Sequence, residues 1–295
     1  MLRILLMRAK LQLAAAVASL RLLTTSAMAQ PFAYAVNSAN DLYLVNLATA
    51  QKTLIGWTEA NLLEGLALSP TGELYGTDAS DNFYLINRNS GVATLRGGMR
   101  FGTSGLVFDG ATLLGISIYA PTIFSINPAN GATTNLITAK TNIQAQAMTL
   151  LDSDTVFLSR TGVSNTPLYK VSLSTGDATT VGVLQGYSYA MGFAPDGYLY
   201  TLGDSGALYR VDPNTASQTL IGNTGGDTWL DMTIVPEPGT ATLLILGFLV
   251  FSRFSAKGKI LCSMSHRGFG PQPLQNFAPG SAGFPVTLEV GKRVV

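Results

Sequence analysis

Between Gln30 and Val235 this 295-residue chain contains neither histidine nor cysteine. That removes Ser-His-Asp and Cys-His nucleophiles, imidazole metal sites and thiolate ligands from the whole stretch. The groups left for chemistry are carboxylates, working in pairs as acid and base or together around Ca²⁺. Asp152-Ser153-Asp154 and Asp78-Ala79-Ser80-Asp81 are the suggestive groupings. Neither has the acidic spacing of an EF-hand loop. Both fall at turns of a repeat, where aspartate is favoured because it bonds its own backbone, and a turn role is the expectation for both.

The elements that must position these groups repeat. Gly65-Leu-Ala-Leu-Ser-Pro-Thr-Gly-Glu-Leu-Tyr-Gly76 returns as Ala190-Met-Gly-Phe-Ala-Pro-Asp-Gly-Tyr-Leu-Tyr-Thr201. Looser copies start at Gly105 and Ala147 and a truncated one at Asp231, so successive starts lie 40, 42, 43 and 41 residues apart. Each unit carries a second signature, as in Leu42-Tyr-Leu-Val-Asn46 and Leu208-Tyr-Arg-Val-Asp212, and then a Thr-rich segment such as Thr53-Leu-Ile-Gly56. Period-two alternation of β-branched and aromatic residues, broken by Gly, Pro, Asn and Asp, predicts short antiparallel strands. Pro70 and Pro195 preset the turn, and Gly72 and Gly197 tolerate positive φ at its end.

Four short strands in about 40 residues predict one blade of a β-propeller. Units starting at 65, 105, 147 and 190 are complete, whereas Phe32–Gly56 lacks an opening strand and Asp231–Val235 is only that strand. Joined, the two fragments make a fifth blade, which closes the ring and abolishes open sheet edges. The expectation is therefore an all-β, five-bladed propeller over residues 30–235, with both ends of the domain sharing the closing blade. Six blades is the alternative if Trp57–Glu64 hides further strands.

On that architecture Glu64, Ser104, Gln146, Tyr189 and Leu230, with Asp231 adjacent, stand just before the opening strands and border the ring axis. A polar ring at a channel mouth is a candidate ligand site, since ligands favour concave surfaces with a few convergent polar groups. The mixed identities also fit simple solvation of the channel, which is the favoured reading. The repeated Tyr43, Tyr84, Tyr169 and Tyr209 are expected to pack between sheets rather than stack on sugars. Trp57 and Trp229 fall in connections and are better ligand candidates.

Composition bounds the class. The chain is 47% hydrophobic and 12% charged, against about 25% charged in ordinary soluble domains, which excludes intrinsic disorder. One cysteine excludes an internal disulfide framework. Residues 30–235 hold 15 acidic and 8 basic side chains, a net of −7, between two basic ends. That balance gives no footprint for nucleic acid.

The ends read as sorting segments. Arg3, Arg8 and Lys10 precede the apolar Leu11–Leu23, and Ala27-Met28-Ala29 supplies the small residues that signal peptidase needs. Residues 1–29 are thus an expected export signal. Near the other end, Val235-Pro236-Glu237-Pro238-Gly239 is followed by the apolar Thr240–Phe251 and then Ser252-Arg253. The apolar run is short for a bilayer span and approaches the limit if Arg253 snorkels. Pro-Glu-Pro, a short apolar helix and a basic stop in that order resemble the PEP-CTERM sorting signal of Gram-negative exported proteins, over about residues 235–254. The resemblance implies that Pro236, Glu237 and Pro238 are recognised by a membrane-embedded exosortase. It further implies anchoring in the inner membrane before processing, then release to the cell surface or to extracellular polysaccharide and biofilm matrix. The family pattern stops soon after its basic cluster, whereas here residues 255–295 follow. They are rich in Gly and Pro, hold the only Cys and His, and are expected to lack stable structure.

The functional expectation is a non-enzymatic binding or scaffolding protein at the cell surface or in the matrix, with no catalytic residues and no cofactor. Its partners would be signal peptidase, an exosortase, and extracellular polysaccharide or surface proteins. The rival is a calcium-dependent hydrolase or lactonase of the propeller type, drawing ligands from Glu64, Asp231 and channel Asn residues.

Overall fold

The computed structural model describes residues 30–100, 102–160, 165–203 and 205–236. The expected export signal with Ala27 and Ala29, Glu237 and Pro238 of the sorting motif, the apolar run after them and residues 255–295 lie outside the described residues.

The described chain is all β. It opens with β1 (Phe32–Asn37), β2 (Asp41–Asn46) and β3 (Lys52–Trp57). Four complete blades follow. The first is β4 (Leu63–Leu68), β5 (Leu74–Asp78), β6 (Asn82–Ile86) and β7 (Ala93–Gly98), and the second is β8 (Thr103–Asp109), β9 (Thr112–Ser117), β10 (Thr122–Ile126) and β11 (Thr133–Thr138). The third is β12 (Ala145–Asp152), β13 (Thr155–Arg160), β14 (Asn165–Ser172) and β15 (Ala178–Gln185), and the fourth is β16 (Ser188–Phe193), β17 (Leu199–Gly203), β18 (Ala207–Val211) and β19 (Gln218–Asn223). The last strand, β20 (Trp229–Val235), pairs antiparallel with β1 and completes a fifth sheet in the order β20-β1-β2-β3. Its register runs from Phe32 opposite Val235 to Val36 opposite Asp231. The structure is thus a five-bladed propeller closed by strands from both ends of the domain. Trp57–Glu64 adds no blade: its backbone turns through positive φ at Glu59 and Leu62 before β4 begins.

The innermost strands β20, β4, β8, β12 and β16 lie side by side around the axis, each touching the next, and β16 touches β20. The apolar core sits between blades. Five clusters each join two neighbours: Phe83 and Tyr75 meet Leu113 and Phe124, and Phe157 and Leu168 meet Met191 and Leu199. Burying each such side chain contributes about 1.5–3 kcal/mol, and here the gain exists only if the adjacent blade is present. Tyr43, Tyr84, Tyr169 and Tyr209 pack half-buried against these clusters, as the repeat predicts. In the remaining blade the equivalent residue, Phe124, is fully buried.

The glycine of the Thr-rich signature has a definite cause. A Cβ on Gly56 would overlap the carbonyl oxygen of Ser90, and one on Gly97 that of Asn130, both in the last turn of the following blade. A Cβ on Gly182 would stand 2.8 Å from the carbonyl of Thr215, and one on Gly222 3.0 Å from the Cβ of Ala50. The last of these contacts joins the fourth complete blade to the closing blade. The second complete blade has Ile137 at this position, and there Gly176 of the next blade supplies the close approach, over the carbonyl of Thr138.

Candidate functional site

Each inner strand starts with the same irregularity. Leu63 pairs with Asp78 and Gly65 with Thr77, so Glu64 is left over as a β-bulge. Ser104, Gln146, Tyr189 and Leu230 are left over in the same way in β8, β12, β16 and β20. A bulge adds local twist and re-aims a side chain. The five residues expected to border the axis therefore do occupy one equivalent position. They lie inside the strands rather than before them, because the extra residue breaks the alternation from which strand starts are read.

Glu64, Gln146, Tyr189 and Leu230 are half-buried there. Burial raises the Glu64 carboxyl above its ordinary value, and the charges of Asp78 and Asp81 add to the rise. The Tyr189 ring stacks nearly parallel on Tyr187, with centroids 5.8 Å apart. Ser104 is buried, and its hydroxyl donates to the carbonyl of Ala145 at 2.8 Å.

That bond belongs to a wider pattern. An inner strand is the edge of its sheet and leaves backbone groups facing the axis, and such groups must be paired if buried. Side chains of neighbouring blades do this. Thr233 Oγ1 accepts from the Leu68 N–H at 3.1 Å and Thr149 Oγ1 from the Phe193 N–H at 3.0 Å. The Ser159 hydroxyl donates to the carbonyl of Ser188 at 3.2 Å.

Asp231 carries the pattern furthest. It follows the bulge in β20, at the position filled by Gly65, Gly105, Ala147 and Ala190 in the other blades. Its carboxylate is fully buried, accepts from the Leu66 N–H at 2.7 Å and the Met232 N–H at 2.8 Å, and is also bonded by the Leu106 backbone amide. One side chain thus ties together the inner strands of three blades. Burial pushes its carboxyl well above the ordinary carboxylate range, against the opposing pull of the three amides. The expectation that Asp231 offers its carboxylate at a channel mouth is corrected: its oxygens are committed to backbone amides. The signal for this was present in the repeat, since an acid stands where the other copies have only Gly or Ala.

A concavity of about 320 Å³ lies toward the other ends of the inner strands, lined by residues of all five blades including Leu68, Phe108, Leu150, Phe193 and Ile234, with Pro236 among them. The candidate mouth expected from the repeat lies at the strand starts, and no sequence signal singles out this end. Its lining is the apolar tail of each opening strand, which reads as ordinary core.

The acidic pairs are turn elements. Asp78 is fully buried, and its carboxylate accepts from the Ser80 and Asn82 N–H groups at 2.9 Å and from the Tyr84 hydroxyl at 2.8 Å. Burial, followed by this bond to Asp78, pushes the Tyr84 hydroxyl up to about 12. Asp152 accepts from the Asp154 N–H, and bonds from Ser174 and Ser172 hold the Asp154 carboxyl below its ordinary value. Among the described residues, no three His, Cys, Asp or Glu are grouped to hold a metal ion.

The tryptophans divide. Trp57 ends β3 and is 57% exposed. Trp229 corrects the expectation of a connection: it lies inside β20, fully buried. Its indole N–H donates to Thr224 Oγ1 at 2.9 Å and its ring meets Tyr43 edge-on at 5.5 Å. Lys52, paired with Asp227, stands 4.9 Å from the centroid of Tyr43.

No protein-family model matches the chain, and no curated protein does. Among solved structures it is similar to a chain in the crystal structure of a nidogen/laminin complex, with a TM-score of 0.52 at 11% identity. The match covers 70% of this chain and 98% of that one. At that identity the likeness is one of fold alone.

Proposed function

We propose that this chain is an exported β-propeller with a non-enzymatic binding or scaffolding role at the cell surface or in the extracellular polysaccharide matrix. The observation that carries the reading is the ring itself. Its buried carboxylates serve backbone amides and turns, while all five blades contribute to one concave mouth. A rigid scaffold presenting a concavity and loops is suited to recognition, and function on such a fold resides in the site. Of the ligands from which the calcium-dependent hydrolase would draw, Glu64, Asp231 and channel Asn residues, the Asp231 carboxylate is already engaged by Leu66, Leu106 and Met232.

Sorting follows from the ends. The basic-apolar-small N-terminus supports export through signal peptidase, and Pro236-Glu237-Pro238 with the apolar run supports handling by an exosortase-type enzyme. Net −7 over residues 30–235 opposes binding to nucleic acid. The test is fractionation of a Gram-negative host making the full chain, with intact-mass measurement of the recovered protein. The expected species starts at Gln30 and lies in the surface or matrix fraction. A cytosolic chain still starting at Met1 overturns the proposal.

A further inference from the structure

The concave mouth carries more than its shape. It is lined at one level by Met148, Met191 and Met232, which occupy the same position, two residues past the bulge, in three different inner strands. Leu106 holds that position in a fourth and also lines the cavity. Phe108 and Phe193 contribute aromatic faces nearer the strand ends. Among the described residues, none that lines the cavity is charged. The two hydroxyl side chains, Thr149 and Thr233, already accept from the amides of Phe193 and Leu68.

Such a lining selects by what it lacks. A sugar or an ion would lose much of its hydration and, among the described lining residues, meet no charged side chain and only two hydroxyls, a loss that apolar contact does not offset. An uncharged aromatic molecule has no such cost, and thioether sulfur makes favourable contacts with aromatic rings. An apolar cavity of about 150 Å³ takes benzene, so about 320 Å³ admits a fused two-ring molecule with one edge left at the open mouth.

We infer that the cavity at the ends of the inner strands binds a small, uncharged aromatic molecule of about two fused rings. The inference rests on the binding role proposed above and names the ligand class of its concave mouth. Met99 is an internal control: like the three cavity methionines it packs in a cluster between two blades, but it does not line the cavity.

The probe is 2-naphthol, titrated into the full chain labelled with ¹³C at the methionine methyls. Saturable shifts are expected at Met148, Met191 and Met232 and not at Met99, with Kd on the order of 0.1 mM for a ligand of this size. Leu150→Trp fills the cavity and should weaken binding at least tenfold; Val107→Phe serves if that variant does not fold. Absence of saturable shifts, equal shifts at Met99, or unchanged affinity in a folded filling variant overturns the inference. A protein that fails this titration yet is recovered at the cell surface, starting at Gln30, overturns the ligand class and leaves the surface role standing.

Discussion

Replacing Asp231 by asparagine keeps the shape of the side chain and exchanges one acceptor oxygen for an NH2 group. The two oxygens accept from Leu66 and Met232, and Leu106 donates as well. At least one backbone N–H would then face another donor, which costs about 1–3 kcal/mol when buried. Asp231→Ala leaves all three amides without this acceptor and should cost more, about 3–5 kcal/mol, in the range reserved for broken buried networks. The wild-type contribution also depends on pH. Burial raises the folded-state pKa of Asp231 well above its ordinary 3.8, so the folded ring binds this proton more tightly than the unfolded chain does. Stability from the group is therefore fully present below the unfolded pKa and is lost as pH rises through the folded one. Urea denaturation of wild type and Asp231→Asn at a series of pH values isolates the effect, because the other titrating groups cancel in the difference. The stability advantage of wild type should grow on acidification, by at most about 1.4 kcal/mol per pH unit for one proton. An advantage that shrinks instead would mean that the three amides outweigh burial and hold the carboxylate as its anion.

Three further outcomes are expected. Gly56→Val should lower stability by about 1–3 kcal/mol through overlap with the carbonyl of Ser90, whereas Gly98→Ala, whose nearest neighbour would be 4.0 Å away, should change the melting temperature little; equal losses would refute the interblade reading. Deleting residues 30–56 removes β1, β2 and all of β3 but Trp57 and should abolish cooperative unfolding, so an unchanged thermal melt would refute ring closure. Alanines at Pro236, Glu237 and Pro238 should leave the ring folded and hold the protein in the membrane fraction, and normal release would refute the sorting role.

Much of the architecture was legible because the same local physics recurs. Alternation in Leu42–Asn46 and Leu208–Asp212, with turns at Pro70 and Pro195, marks strands without reference to anything distant. Positive φ at Gly72 and Gly197 is found where the turn chemistry requires it. Ring closure was also legible, since a unit lacking its first strand and a lone first strand are complementary. The strand starts were not, because the bulges at Glu64, Ser104, Gln146, Tyr189 and Leu230 interrupt the alternation. Trp229 looked like a loop residue for the same reason, as it precedes the bulge in β20.

The candidate site was only half legible. Equivalent positions around an axis follow from the repeat, and the five bulge residues do share one. What each side chain does there depends on the neighbouring blade. Ser104 finds a carbonyl in β12, and Asp231 finds amides in β4 and β8. The cavity at the other ends of the strands arises because five apolar strand ends surround one axis.

The sequence by itself determined the strands, their number and the circular order of the blades, because turn chemistry and alternation act over a few residues and the repeat multiplies them. Only the tertiary structure decided which polar groups are occupied and where space remains. Those outcomes depend on contacts between residues about 40 to more than 160 positions apart, and no local pattern encodes whether a carboxylate will meet water or a neighbour's backbone.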